Sequence, residues 1–145
     1  MDSLPSTVAL ELSSECFHAC SYCDRSNWAR LGLQRHKPFM DRELVSDIIQ
    51  DLHYWPSSPS ISLSYEGEST LHPHFTAILA DLAAADLWPW VTVRMKMLSE
   101  SLIDPLMLFA DTVAISVECS PIAQASNLAR DQIRSDTFRR LSQLQ

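Results

Sequence analysis

Apolar residues recur along this chain with two periods that take turns. In residues 6–13, STVALELS, the positions Val8, Leu10 and Leu12 alternate with polar or small neighbours. That is the period of a half-buried strand. Residues 60–65 (SISLSY), 90–97 (WVTVRMKM) and 111–118 (DTVAISVE) read as three further strands. Between them the period lengthens. Residues 40–54, MDRELVSDIIQDLHY, place Leu44, Val45, Ile48, Ile49 and Leu52 on one helical face, with Asp41 as the predicted N-cap and Glu43 in the first turn. Pro56 and Pro59 then forbid helix and mark a turn at 55–60. Residues 72–87 form a second predicted helix, with Pro73 in its first turn and Phe75, Ile78, Leu79 and Leu82 on its buried face. Residues 99–110 form a third, short helical region, expected to break or restart at Asp104–Pro105. A fourth helix begins at Ser135 or Asp136, with Phe138, Leu141 and Leu144 three apart.

The order is β-α-β-α-β-α-β-α. Alternation at this spacing predicts an α/β fold, a parallel sheet of about four strands with helices packed outside it. No internal repeat, low-complexity tract or flexible linker interrupts it, so residues 1–145 are read as one domain.

Composition narrows the function. The chain is 46% hydrophobic and 20% charged, a globular balance rather than a disordered one. Its formal net charge is −7 and it carries no basic run. Non-specific nucleic-acid binding and membrane-surface binding both need basic patches, so both are excluded as expectations. The start MDSLPSTVAL lacks the charged and apolar regions of a signal peptide, and the apolar stretches are too short to span a bilayer. The expected compartment is the cytoplasm, where clustered thiols bind metal more often than they pair. Only Gly32 and Gly67 are glycine, against about ten for average usage. No phosphate loop or dinucleotide fingerprint is present.

The candidate chemistry lies in SECFHACSYCDR, residues 14–25. Cys16, Cys20 and Cys23 are spaced C-x3-C-x2-C, and three thiolates on one loop can converge on one centre. Zinc would need a fourth ligand, for which His18, His36 and Cys119 are available. A [4Fe–4S] cluster held by three cysteines would leave one iron open. The single compact triplet, without a second distant pair, favours the cluster; zinc and unligated thiols remain alternatives. The loop follows the first strand, at the sheet edge where α/β folds bind ligands. Residues 65–75, YEGESTLHPHF, reach the same edge after the second strand. There Gly67 permits a tight turn or a close approach, and Glu68 brings a carboxylate. Ser116 and Glu118 reach it after the fourth.

With Tyr22 before the last cysteine, the triplet resembles the cluster loop of the radical S-adenosylmethionine (radical SAM) superfamily. EGESTLHPHF is similar to that superfamily's G-E-P segment, VAISVE to its fourth strand, and SDTFRRL to the opening of the following helix. The resemblance runs in order over residues 6–145. It implies that Cys16, Cys20 and Cys23 each ligate one iron of a [4Fe–4S] cluster, and that the amino and carboxylate groups of S-adenosylmethionine chelate the fourth. It places Tyr22 near the adenine, Gly67, Glu68 and Ser69 beside the methionine amino group, and Ser116 and Glu118 facing the ribose. The implied activity is reductive cleavage of S-adenosylmethionine to methionine and a 5′-deoxyadenosyl radical that abstracts hydrogen from a substrate. The electron would come from a donor such as flavodoxin or ferredoxin.

Three features depart from the superfamily pattern. Ser69 stands where the G-E-P proline would be, and Met95–Lys96–Met97 where many relatives have T-N-G. The chain has at most four βα units of the usual six, so the expected fold is a partial barrel, either a fragment or one completed by a partner chain. The alternative function is a non-catalytic iron–sulfur or S-adenosylmethionine-binding module, or a degraded paralogue. Other residues are expected to be structural. His18, His72 and His74 would make local hydrogen bonds, Cys119 would be a small buried residue, and Met95, Met97 and Met107 would fill the core. Trp55, Trp88 and Trp90 would anchor packing, and Arg134, Arg139 and Arg140 would form a solvated helix face.

Overall fold

The computed structural model describes residues 4–17, 23–25, 31–32 and 37–116. Its strands are β1 (Thr7–Ala9), β2 (Ser60–Ser62), β3 (Pro89–Arg94) and β4 (Thr112–Ser116). Helix α1 (Arg42–His53) joins β1 to β2, α2 (Phe75–Ala84) joins β2 to β3, and α3 (Glu100–Phe109) joins β3 to β4. The strands form one sheet in the order β1-β2-β3-β4, every pair parallel. Sequential order with crossovers of one hand puts the helices on one side, the winding of a β/α barrel rather than of a doubly wound sheet. The predicted fold class is therefore observed. The fourth predicted helix lies outside the described residues.

Period-2 patterning builds the core. Leu10, Leu12, Ile61, Leu63, Val91 and Val93 are buried, and they meet Val45, Ile49 and Leu52 of α1 and Phe75, Ile78, Leu79 and Leu82 of α2 in one cluster. Each such side chain, once fully buried, contributes about 1.5–3 kcal/mol. The intervening strand positions are small, polar or partly exposed: Ala9, Ser62 and Trp90 share one row across the sheet by register, and Arg94 lies beside Ser116.

The strands are shorter than their apolar patterns. β1 ends at Ala9 because the chain then changes partners. Leu10 N–H still donates to the Ser62 carbonyl, but Leu12 accepts from Met40 N–H and Ser14 donates to the Pro38 carbonyl. β3 ends at Arg94 because Met95–Met97 close a 3-10 turn. Met95 is buried and Met97 packs against the core, as expected, whereas Met107 is exposed. Trp55 packs against the core, but Trp88 and Trp90 are each 48% exposed.

Helix ends follow local chemistry. Asp41 occupies the N-cap of α1, yet its carboxylate makes no cap bond; it accepts from Lys37 Nζ at 2.7 Å instead. Leu44, expected on the buried face, is exposed. An Arg42–Asp81 ion pair ties α1 to α2. Helix α2 starts at Phe75 rather than Pro73, with His74 at its cap. It ends through Asp86 at φ 59°, where Leu87 N–H returns to the Leu82 carbonyl at 2.9 Å and Asp86 N–H to Ala83 at 3.0 Å. This left-handed stop is usually glycine; in a chain with two glycines an aspartate takes it. Helix α3 does not break at Asp104–Pro105 but runs through Pro105. The burial of Ile103 and Leu106 on either side offsets the main-chain bond that proline cannot make.

Candidate functional site

The site lies where the chain leaves β1 and β2 at the C-terminal edge of the sheet. Cys16 is buried and Cys23 half-buried, and both are free thiols. Phe17, next to Cys16, is 78% exposed. Cys20 and Tyr22 lie outside the described residues, as do His18, His36, Glu118 and Cys119. Among the described residues no three metal-ligating side chains gather.

The main chain leading into Cys16 is held at successive positions. Glu15 accepts from the Glu68 N–H at 2.7 Å. Arg25, two residues past Cys23, donates from Nε to the Ser14 carbonyl at 2.8 Å and from Nη1 to the Cys16 carbonyl at 2.9 Å. The hydroxyl of Ser13 accepts from Glu15 N–H at 3.0 Å. Gly67 packs directly on this strand end: a β-carbon there would overlap the Ser13 carbonyl and crowd Ser14 Cα. The expected close approach is thus real, and its partner is the start of the cysteine loop.

Glu68 does not project from the rim as expected; it is 3% exposed. Its Oε1 accepts from Thr70 Oγ1 at 2.7 Å and its Oε2 from Arg94 N–H at 3.3 Å, with Arg94 Nε at 3.8 Å. Burial nevertheless wins over these partners and pushes the carboxyl above its ordinary value of 4.5. Ser69 is also buried, and its hydroxyl donates to the Leu63 carbonyl. It opens a 3-10 turn, Ser69–Leu71, so the turn survives without the expected proline. Ser116, at the end of β4, is half-buried.

His72 carries more than the local bond expected of it. Its Nδ1 accepts from His74 N–H at 3.1 Å, so the proton sits on Nε2, which donates to the Met40 carbonyl at 2.9 Å. This buried ring joins the segment after β2 to the approach to α1, with Phe39 edge-on at 5.7 Å. Arg25 was not signalled by the sequence, because side-chain donors to main-chain carbonyls leave no spacing pattern.

No protein-family model matches the chain. It is 25% identical over 116 residues to the tungsten-containing aldehyde ferredoxin oxidoreductase cofactor-modifying protein of Pyrococcus furiosus, over 79% of this chain and 31% of that protein. Its fold is similar to that of BtrN crystallised with AdoMet and 2-DOIA, with a TM-score of 0.69 and 19% identity over 90% of this chain and 56% of BtrN. An open conformation of BtrN gives a TM-score of 0.65 over 79% of this chain and 57% of BtrN. At this identity the likeness establishes a shared α/β partial-barrel fold. The chain spans less than a third of the curated relative and little more than half of BtrN. No described helix is long and apolar enough to cross a membrane.

Proposed function

We propose that this chain is a radical SAM protein, or the N-terminal part of one. In this reading Cys16, Cys20 and Cys23 hold three irons of a [4Fe–4S] cluster, and S-adenosylmethionine lies along the sheet edge beside Gly67, Glu68 and Ser69. Tyr22 would lie near its adenine, and Ser116 and Glu118 would face its ribose. The observation that carries the reading is the junction between the two motifs, in which Gly67 packs on Ser13 and Glu68 N–H bonds Glu15. Two segments about fifty residues apart are thereby brought to one place at the ligand-binding edge of a parallel sheet. The fold likeness to BtrN, which was crystallised with AdoMet, supports the same ligand.

Two free thiols on one loop, one of them buried, with a cationic side chain bonded to the Cys16 carbonyl, fit such a cluster. When bound, the cluster supplies the electron that cleaves the sulfonium of S-adenosylmethionine. The protein's own part is placement. Glu68 spends its carboxylate on Thr70 and Arg94, so acceptors for the methionine amino group would come from main-chain carbonyls of this segment rather than from its side chains. Buried Met95 and half-buried Met97 line the exit of β3 with apolar surface.

Anaerobic reconstitution with iron and sulfide tests the reading. It should give a brown protein containing acid-labile sulfide, and Cys20→Ala should abolish the colour. Dithionite and S-adenosylmethionine should then release 5′-deoxyadenosine. A colourless zinc protein would overturn the cluster assignment. A cluster without cleavage would overturn the enzyme and leave a binding module, completed or not by a partner chain.

A further inference from the structure

The cysteine loop contains a cation that the ligand set does not use. The Arg25 side chain is only 30% exposed, and its guanidinium spans the mouth of the loop. Nε and Nη1 take two carbonyls, those of Ser14 and Cys16, while Nη2 stands 3.5 Å from Glu15 Oε2. The carbonyl between them, that of Glu15, goes to Glu68 N–H. Three consecutive carbonyls are therefore fixed, two of them by one side chain nine to eleven residues further on. An exposed Arg–Glu pair alone would be worth little. Here the charge-assisted bonds go to main chain, and they tie Arg25 back to the Ser14 and Cys16 carbonyls.

We propose that Arg25 is the positioning residue of the thiolate centre. By bonding the Cys16 carbonyl from two residues past Cys23, it holds the main chain of these two cysteines together before any metal binds, and it brings a fixed positive charge to that main chain. This rests on the cluster reading for its electrostatic half only. Gathering thiols from an open loop costs conformational entropy that a pre-closed loop has already lost. Clustered thiolates repel one another, and a neighbouring cation offsets that repulsion. The same charge favours the reduced cluster, because net charge and hydrogen bonding set cluster potentials. Lysine keeps the charge but cannot reach two carbonyls with a planar fork, so the two contributions separate by substitution.

The test uses the full chain with Arg25→Ala and Arg25→Lys, each checked for native far-ultraviolet circular dichroism. In reconstituted protein, Arg25→Ala should lose iron to a chelator roughly fivefold faster or more, the equivalent of one lost net hydrogen bond. Its cluster should also titrate at a more negative potential. Arg25→Lys should lose iron as fast as the alanine variant yet keep a potential near that of the unsubstituted protein. Wild-type iron retention and potential in Arg25→Ala would overturn the proposal. If the unsubstituted protein takes up no iron and sulfide, the cluster reading fails by itself. The clamp is then decided in metal-free protein by phenylarsine oxide, which bridges neighbouring thiols, in a Cys20→Ser, Cys119→Ser background. Arg25→Ala should weaken that capture roughly fivefold; unchanged capture would sink the clamp as well.

Discussion

Gly67 and Ser13 are in main-chain contact: a β-carbon on residue 67 would overlap the Ser13 carbonyl oxygen and stand 2.9 Å from Ser14 Cα. Both obstacles are backbone, so no rotamer change can relieve them. Gly67→Ala must push the segment after β2 away from the cysteine loop, at a cost of about 1–3 kcal/mol by the usual scale of overpacking. The shift would also strain the Glu68–Glu15 bond at 2.7 Å. We expect a lower urea midpoint together with a loss of iron on reconstitution. A variant as stable and as iron-rich as the parent would show that this contact does not set the site.

Glu68 gives a pH dependence with a definite sign. Burial raises its folded-state pKa above 4.5, against the opposing pull of Thr70 and Arg94. A carboxyl raised on folding binds its proton more tightly in the folded state. Its favourable contribution is fully present below about pH 4.5 and is lost as pH rises through the folded value. Glu68→Gln is neutral at every pH; its one oxygen can accept from the Arg94 amide while its NH2 donates to the Thr70 hydroxyl, which can accept as well as donate. The variant should match the parent in acid and become the more stable of the two as pH rises to neutrality. Paired denaturation curves across that range decide it; a parent that gains on the variant with rising pH would mean that the Arg94 pairing outweighs burial.

The faces of the sheet and of α2 were legible because their periods are set by geometry alone. Val8, Leu10 and Leu12 had to lie on one side of a strand, and Phe75, Ile78, Leu79 and Leu82 on one side of a helix. Where a strand stops was not legible, because β1 ends when Leu12 and Ser14 exchange sheet partners for Met40 and Pro38. Leu44 is exposed for a related reason: period locates an apolar stripe but not how wide the covering surface is; Met107 was expected in the core from residue type alone, which does not fix a face. At the site, glycine scarcity pointed to Gly67, and the cysteine spacing pointed to the loop. Glu68 was read as a rim carboxylate because its partner Arg94 lies 26 residues away and is found only through register. Arg25 bonds to carbonyls, which every residue has, so no sequence pattern could announce it.

Ser69 is the place where the chain departs from the segment it resembles, and its position in the turn is one that proline tolerates. Residue 69 is the first of the 3-10 turn, the position proline tolerates best. The preceding Glu68 has φ −98° and ψ 102°, extended rather than helical and close to the range that a residue before proline prefers. What serine adds is its hydroxyl, which donates to the buried Leu63 carbonyl at the end of β2. Ser69→Ala loses that bond and should cost about 1 kcal/mol. Ser69→Pro loses it too but recovers about 0.4–1 kcal/mol by restricting the unfolded chain. The proline variant should therefore unfold at a higher urea concentration than the alanine variant, and close to the parent. If it proves less stable than Ser69→Ala, the turn does not have the geometry described, and serine is there because proline cannot be.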